Sequence, residues 1–174
     1  MNDVMFIKAL EKEYVKIKEE FQSVASENIY TKWPEEFLYN EGWNVFGLRF
    51  QKNDIKEAHL LCPVISGLIK KYDTLIDSLG FSSLNPGTII KPHIGYTNKV
   101  LRCHMGIIVP KGDCALKVAE RIIKWKEGSA FIFDDTEQHE AWNKTEQKRV
   151  VMLIDLVKDV LYDTSYKSDL KTTI

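Results

Sequence analysis

From Phe81 onward the chain breaks into short apolar runs separated by turn-forming residues, and this texture constrains the fold more than any other feature. The spacing predicts strands over 81–84, 87–93, 99–109, 114–119, 121–126, 129–133, 138–142 and 148–156. Asn85-Pro86-Gly87, Pro110-Lys111-Gly112-Asp113 and Lys126-Glu127-Gly128 mark turns between them. Many short strands at this spacing predict a sandwich or jelly roll. Helical patterns precede it. Over 4–25, Ile7, Leu10, Tyr14, Ile17 and Phe21 form one apolar stripe, with Asp3 as N-cap. Gly42 to Phe50 reads as an aromatic-rich strand. Cys62-Pro63 opens a second helix whose buried face runs from Val64 and Ile65 to Leu75 and Ile76, with Gly80 as its stop. After Asp155 the periodicity fades, which predicts a partly disordered tail.

The 174 residues suit one domain: helices and a first strand over 1–80, a β core over 81–156, and the tail over 157–174. A net charge of −1, with lysine and glutamate interspersed, argues against nucleic acid or a membrane surface as partner. The N-terminus is too charged for a signal peptide, and no apolar run would span a bilayer. Cys62, Cys103 and Cys114, an odd set without CxxC spacing, predict reduced thiols and a cytoplasmic location.

Two strands break the alternation rule. In 99–109, Leu101, Cys103, Met105, Ile107 and Val109 make one apolar face, while Val100, Arg102, His104, Gly106 and Ile108 share the other. Arg102 and His104 either face water on an edge strand or line a cavity. In 148–156, Arg149 sits among apolar residues on both faces, so its guanidinium needs an anion, either a protein carboxylate or a ligand. His93 and His139 each stand at a strand end among polar residues, as surface groups or as metal ligands. A two-histidine, one-carboxylate iron site commonly reads His-x-Asp, yet Gly95 holds the carboxylate position. Asp134 and Asp135 are either ligands or groups that orient His139.

Several runs, in order and spacing, resemble the aspartyl/asparaginyl β-hydroxylase family. They are Phe81 to Thr88, Pro92 to Asn98, Leu101 to Gly106, Trp125 to Gly128, Phe133 to Asp135, His139 to Asn143, and Arg149. The resemblance implies a mainly β (α+β), cupin-like double-stranded β-helix with flanking N-terminal helices. It implies a dioxygenase using Fe(II), 2-oxoglutarate and O2, releasing succinate and CO2. His93 and His139 would bind iron, with glycine in place of the third ligand, as at Gly95. Ser82 and Arg149 would hold the distal carboxylate of 2-oxoglutarate, and Arg102 and His104 would stand near its metal-bound end. The substrate would be an amino acid, a peptidyl residue or a related small metabolite. Halogenation, with chloride beside Gly95, and a non-catalytic ligand-binding domain are the rival readings. Mammalian members tend to read Arg-Leu-Arg where this chain has Val100-Leu101-Arg102. The missing cation predicts a substrate whose reacting end is neutral or apolar, unless Lys91 or Lys99 supplies the charge.

Overall fold

The computed structural model describes residues 2–25 and 29–163. Helices α1 (Asn2–Lys12) and α2 (Tyr14–Ala25) come first. Strands β1 (Thr31–Lys32), β2 (Trp43–Phe50) and β3 (Asn53–Asp54) follow, then helices α3 (Lys56–Leu61) and α4 (Pro63–Lys71). The β core comprises β4 (Ile76–Leu84), β5 (Ile89–His93), β6 (Val100–Ile108), β7 (Cys114–Val118) and β8 (Arg121–Ile123). It closes with β9 (Ala130–Phe133), β10 (His139–Asn143) and β11 (Arg149–Val157), and α5 (Lys158–Tyr162) ends the described chain.

These strands form two antiparallel sheets. The larger runs β1-β2-β4-β11-β6-β9, with β3 paired to β2, and the smaller runs β5-β10-β7-β8. Facing each other, they make the cupin-like jelly roll expected from the strand spacing. One apolar core, including Phe21, Ile65, Phe81 and Met105, lies between the helices and the outer face of the larger sheet. A second, including Trp43, Leu116, Trp125 and Phe133, lies between the sheets. Strands β6 and β11 are buried along their length up to Ile108 and Val157, so β6 is not the solvated edge strand considered above and β11 is buried on both faces as expected. Among the described residues no helix is long and apolar enough to cross a membrane, and all three cysteines are free and buried.

Two local expectations are corrected and two short helices are added. The helix over 4–25 breaks at Glu13 into two, and it begins at Asn2, which puts Asp3 inside it. The break lets α1 turn toward β9 and α5 while α2 lies along α4 and β6. Gly80 does not end a helix. Helix α4 stops at Lys71, where Tyr72 N–H bonds to Leu68 O, and Leu75 and Ile76 are buried in the turn and in β4. Gly80 sits mid-strand opposite Gly47, where a Cβ would lie 2.6 Å from the Phe46 carbonyl oxygen. Helix α3 carried no clear signal, because its side chains are largely exposed. Order also persists past Asp155: Leu161 of α5 is buried, while residues 164–174 of the predicted tail lie outside the described residues.

Candidate metal and anion site

Antiparallel pairing of β5 with β10 sets His93 opposite His139, ring centroids 4.2 Å apart. A bulge follows His139, a device that re-aims side chains beside functional sites. His93 Nδ1 lies 2.8 Å from Lys91 O, and His139 Nδ1 lies 2.9 Å from Glu137 O. A carbonyl only accepts, so each Nδ1 carries the proton and each Nε2 presents a lone pair. Burial holds His139 neutral, lowering its pKa to about 4. Two adjacent, oriented imidazoles are the donor set a divalent transition metal takes.

Gly95 lies next to this pair. Its N–H bonds to Asp135 O at 2.7 Å, and a Cβ built on it would strike the Asp135 carboxylate. No side chain fits at position 95 while Asp135 holds that room. Asp135 is fully buried, 3.2 Å from Arg102 Nη1, and burial raises its pKa. Asp134 turns away to Lys158 and Thr136, the former bond doing most to lower its pKa to about 2. Among the described residues no cluster of three histidine, cysteine or carboxylate side chains could hold a metal. The residues present therefore fit a metal held by two histidines, with its other positions left to non-protein ligands.

Deeper between the sheets lies a pocket of unpaired donors. Arg149 is buried, its Nη1 donating to Ser82 O at 3.0 Å while Nε has no partner. Its guanidinium lies 4.5 Å from the centre of the Trp125 ring, and burial lowers its pKa to about 10. Among the described residues no carboxylate pairs with it, so the protein-carboxylate alternative falls. Ser82 Oγ accepts from Trp43 Nε1 at 3.0 Å. Since that oxygen is already an acceptor, the hydroxyl proton is left to donate. His104 Nδ1 accepts from Trp125 Nε1 at 3.2 Å, which places the imidazole proton on Nε2, buried and without a partner. Burial, then the Arg149 and Arg102 charges, hold the His104 pKa well below the usual value.

Arg102 is different. Its Nε and Nη2 grip Asp155 at 2.8 and 3.1 Å while Nη1 faces Asp135. It lines the same cavity as Ser82, His93, His104, His139 and Arg149, a space of about 30 Å³ as the side chains stand. Val100 is buried but does not line that cavity, which removes the basis for the expectation drawn from it. Strand alternation fixes its face, but it stands one row beyond Arg102, at the strand end. Trp125 and Trp43, each tying a donor in place, carried no assigned role in the sequence. A tryptophan in a jelly roll reads as core, and only the register reveals its indole N–H partner.

Residues 11–159 match the model of the aspartyl/asparaginyl beta-hydroxylase family. An ornithine lipid ester-linked acyl 2-hydroxylase of Rhizobium tropici is 38% identical over 130 residues, 74% of this chain and 42% of that protein. The human aspartyl/asparaginyl beta-hydroxylase is 31% identical over 156 residues, 86% of this chain and 21% of that protein. The chain thus spans less than half the length of either relative. A crystal structure titled a predicted oxalate decarboxylase, from Thermotoga maritima, matches 76% of this chain and 95% of its own. With a TM-score of 0.51 at 11% identity, that is a likeness of fold alone.

Proposed function

The chain belongs to the aspartyl/asparaginyl β-hydroxylase family, and we propose that it is an Fe(II)- and 2-oxoglutarate-dependent dioxygenase that hydroxylates a substrate C–H bond. One observation carries this reading. Two oriented imidazoles stand beside a pocket where two buried donors, Arg149 Nε and His104 Nε2, lack an acceptor among the described residues. Such donors are costly to bury unless a ligand completes them. Bound iron, with 2-oxoglutarate and O2, would supply the oxidising chemistry and release succinate and CO2.

His93 and His139 hold the metal through Nε2, and the carbonyls of Lys91 and Glu137 fix their tautomers. Arg149 and Ser82 bind the distal carboxylate of 2-oxoglutarate, since a guanidinium in a dry pocket gives a strong charge-assisted bond. His104 donates from Nε2 to an oxygen near the metal. Arg102, held by Asp155, keeps Asp135 over Gly95. Ile90, Leu116, Phe133 and Ala141 line the cavity with carbon and exclude water. The Asp135 carboxyl group fills the room beside Gly95, which speaks against the halogenase reading. The orphaned donors speak against a domain whose site has decayed. The substrate class on this reading is an amino acid, a peptidyl residue or a related small metabolite. Three free thiols favour a reducing, cytoplasmic setting.

Anaerobic calorimetry tests the reading: Fe(II) binds first, then 2-oxoglutarate, and O2 then yields succinate. An iron-loaded protein that does not bind 2-oxoglutarate would reject it.

A further inference from the structure

The inner face of the larger sheet falls into rows, because cross-strand partners send their side chains the same way. One row runs Val45, Ser82, Val151 and Gly106 across β2, β4, β11 and β6. The next runs Gly47, Gly80, Leu153, His104 and Phe131. A third holds Ser78, Asp155, Arg102 and Phe133. The middle row changes character at Leu153. On one side of it Gly47 and Gly80 offer bare backbone to a cleft of about 310 Å³. On the other side His104 stands in the cavity with Ser82, Arg149 and the histidine pair.

Leu153 is buried and lines both spaces. Arg102 also lines both, but Asp155 and Asp135 hold its guanidinium in place. The part of the boundary without a polar tie is therefore the isobutyl group of Leu153. An anion held by Arg149 and Ser82 at one end, and reaching Arg102 at the other, crosses the Leu153 row with its middle carbons. A branch on those carbons meets a packed side chain, and overfilling a packed site is costly. With Leu153 trimmed, the same branch would pass over Gly80 into the cleft. We propose that Leu153 is a specificity-determining residue: it divides cavity from cleft and restricts the co-substrate to an unbranched 2-oxo diacid. The identity of that anion rests on the 2-oxoglutarate reading.

Calorimetry on Zn(II)-loaded protein, which binds co-substrate without turnover, tests the partition. The ligands are 2-oxoglutarate and its isopropyl and benzyl derivatives, substituted on either methylene and used as racemates. Isopropyl is the group that Leu153→Ala removes. The parent should bind every branched ligand at least about tenfold more weakly than 2-oxoglutarate. Leu153→Ala should bring the better isopropyl isomer to within about threefold of 2-oxoglutarate. The better benzyl isomer should recover too, although its ring exceeds the vacated room, because the cleft continues past Gly80. If the alanine variant does not fold, Leu153→Val should tighten isopropyl binding at least about threefold over the parent. A parent that binds branched and unbranched ligands alike overturns the inference, as do folded variants that keep the parent's preference. Recovery of isopropyl without benzyl also overturns it, since Leu153 would then close one pocket rather than divide two. Failure of the metal-loaded parent to bind 2-oxoglutarate itself rejects the dioxygenase reading. A parent that binds it, with no shift in the variants, rejects the partition alone.

Discussion

Phe81 and Ser82 are neighbours in sequence, as are Met105 and His104, and Val150 and Arg149, yet each pair is divided between two faces of one sheet. On the helix side Phe81, Met105 and Val150 close against Phe21 and Ile65, and the packing is complete. On the inner side Ser82, His104 and Arg149 are equally dry but unfinished, with His104 Nε2 and Arg149 Nε donors that nothing among the described residues accepts. Among the described residues, the comparable orphan against the helices is the Tyr30 hydroxyl. The same strands thus build a face that stabilises and a face that binds, because alternation lets each be composed separately. The inner face gives up stability to keep donors unpaired, as a face built to bind must.

Truncating the closed face should give the largest effect. Phe81→Ala removes a fully buried ring that meets Phe21 edge-on at 5.2 Å. It is expected to lose about 3–5 kcal/mol of stability in denaturant titrations, while the folded fraction keeps its metal affinity. Next comes His139→Ala, with Fe(II) binding weakened at least about a hundredfold, or about 2.7 kcal/mol, and little loss of stability. Asp135→Ala should retain metal, and its complete loss there would put Asp135 among the ligands.

Arg149→Met inverts the usual outcome of a core substitution. Removing a buried, unpaired charge should leave stability within about 1 kcal/mol of the parent, or raise it. The Kd for 2-oxoglutarate should rise by at least about tenfold. Unchanged affinity in a folded variant would assign Arg149 to structure alone. Protons give a smaller handle. The folded pKa of His104 lies below the unfolded value of 6.5. Below that pH the unfolded chain takes up a proton that the folded chain refuses. Metal-free protein should therefore lose stability as pH falls below 6.5, His104 adding a slope of up to about 1.4 kcal/mol per pH unit. His104→Gln should flatten the slope measured by thermal unfolding, and Phe81→Leu, on the opposite face, should not. The smallest effect belongs to Trp125→Phe. It deletes the bond to His104 and weakens the contact with Arg149, raising the 2-oxoglutarate Kd about threefold to tenfold.

Strand positions, and the placing of His93 and His139 at strand ends, were legible because they depend on local signals, alternation and turn residues, while the pairing of the two histidines came from the family resemblance. Arg149 stood out because it lies on a strand apolar on both faces. What escaped depends on register. Arg102 finds Asp155 directly across from it on β11, and nothing near either residue announces that partner. Asp135 fills the room at Gly95 through a loop contact, and Trp125 meets His104 across the core. Gly80 was misread because a glycine after an apolar helical stripe suits a helix stop as well as a close strand crossing. Val100 was misread because alternation gives the face of a strand but not the depth.

His93 ends β5, an outer strand of the smaller sheet, and His139 begins β10, the strand paired with it there. Between them the chain travels through β6, β7, β8 and β9 before it returns. A metal gripped by both side chains would clasp the two ends of that excursion, as a disulfide closes a loop. The ion would then guard the sheet's edge as well as serve the chemistry. Without it, β5 is the strand expected to peel first, making cleavage near Ile94 by a trace of protease a reporter of metal loading.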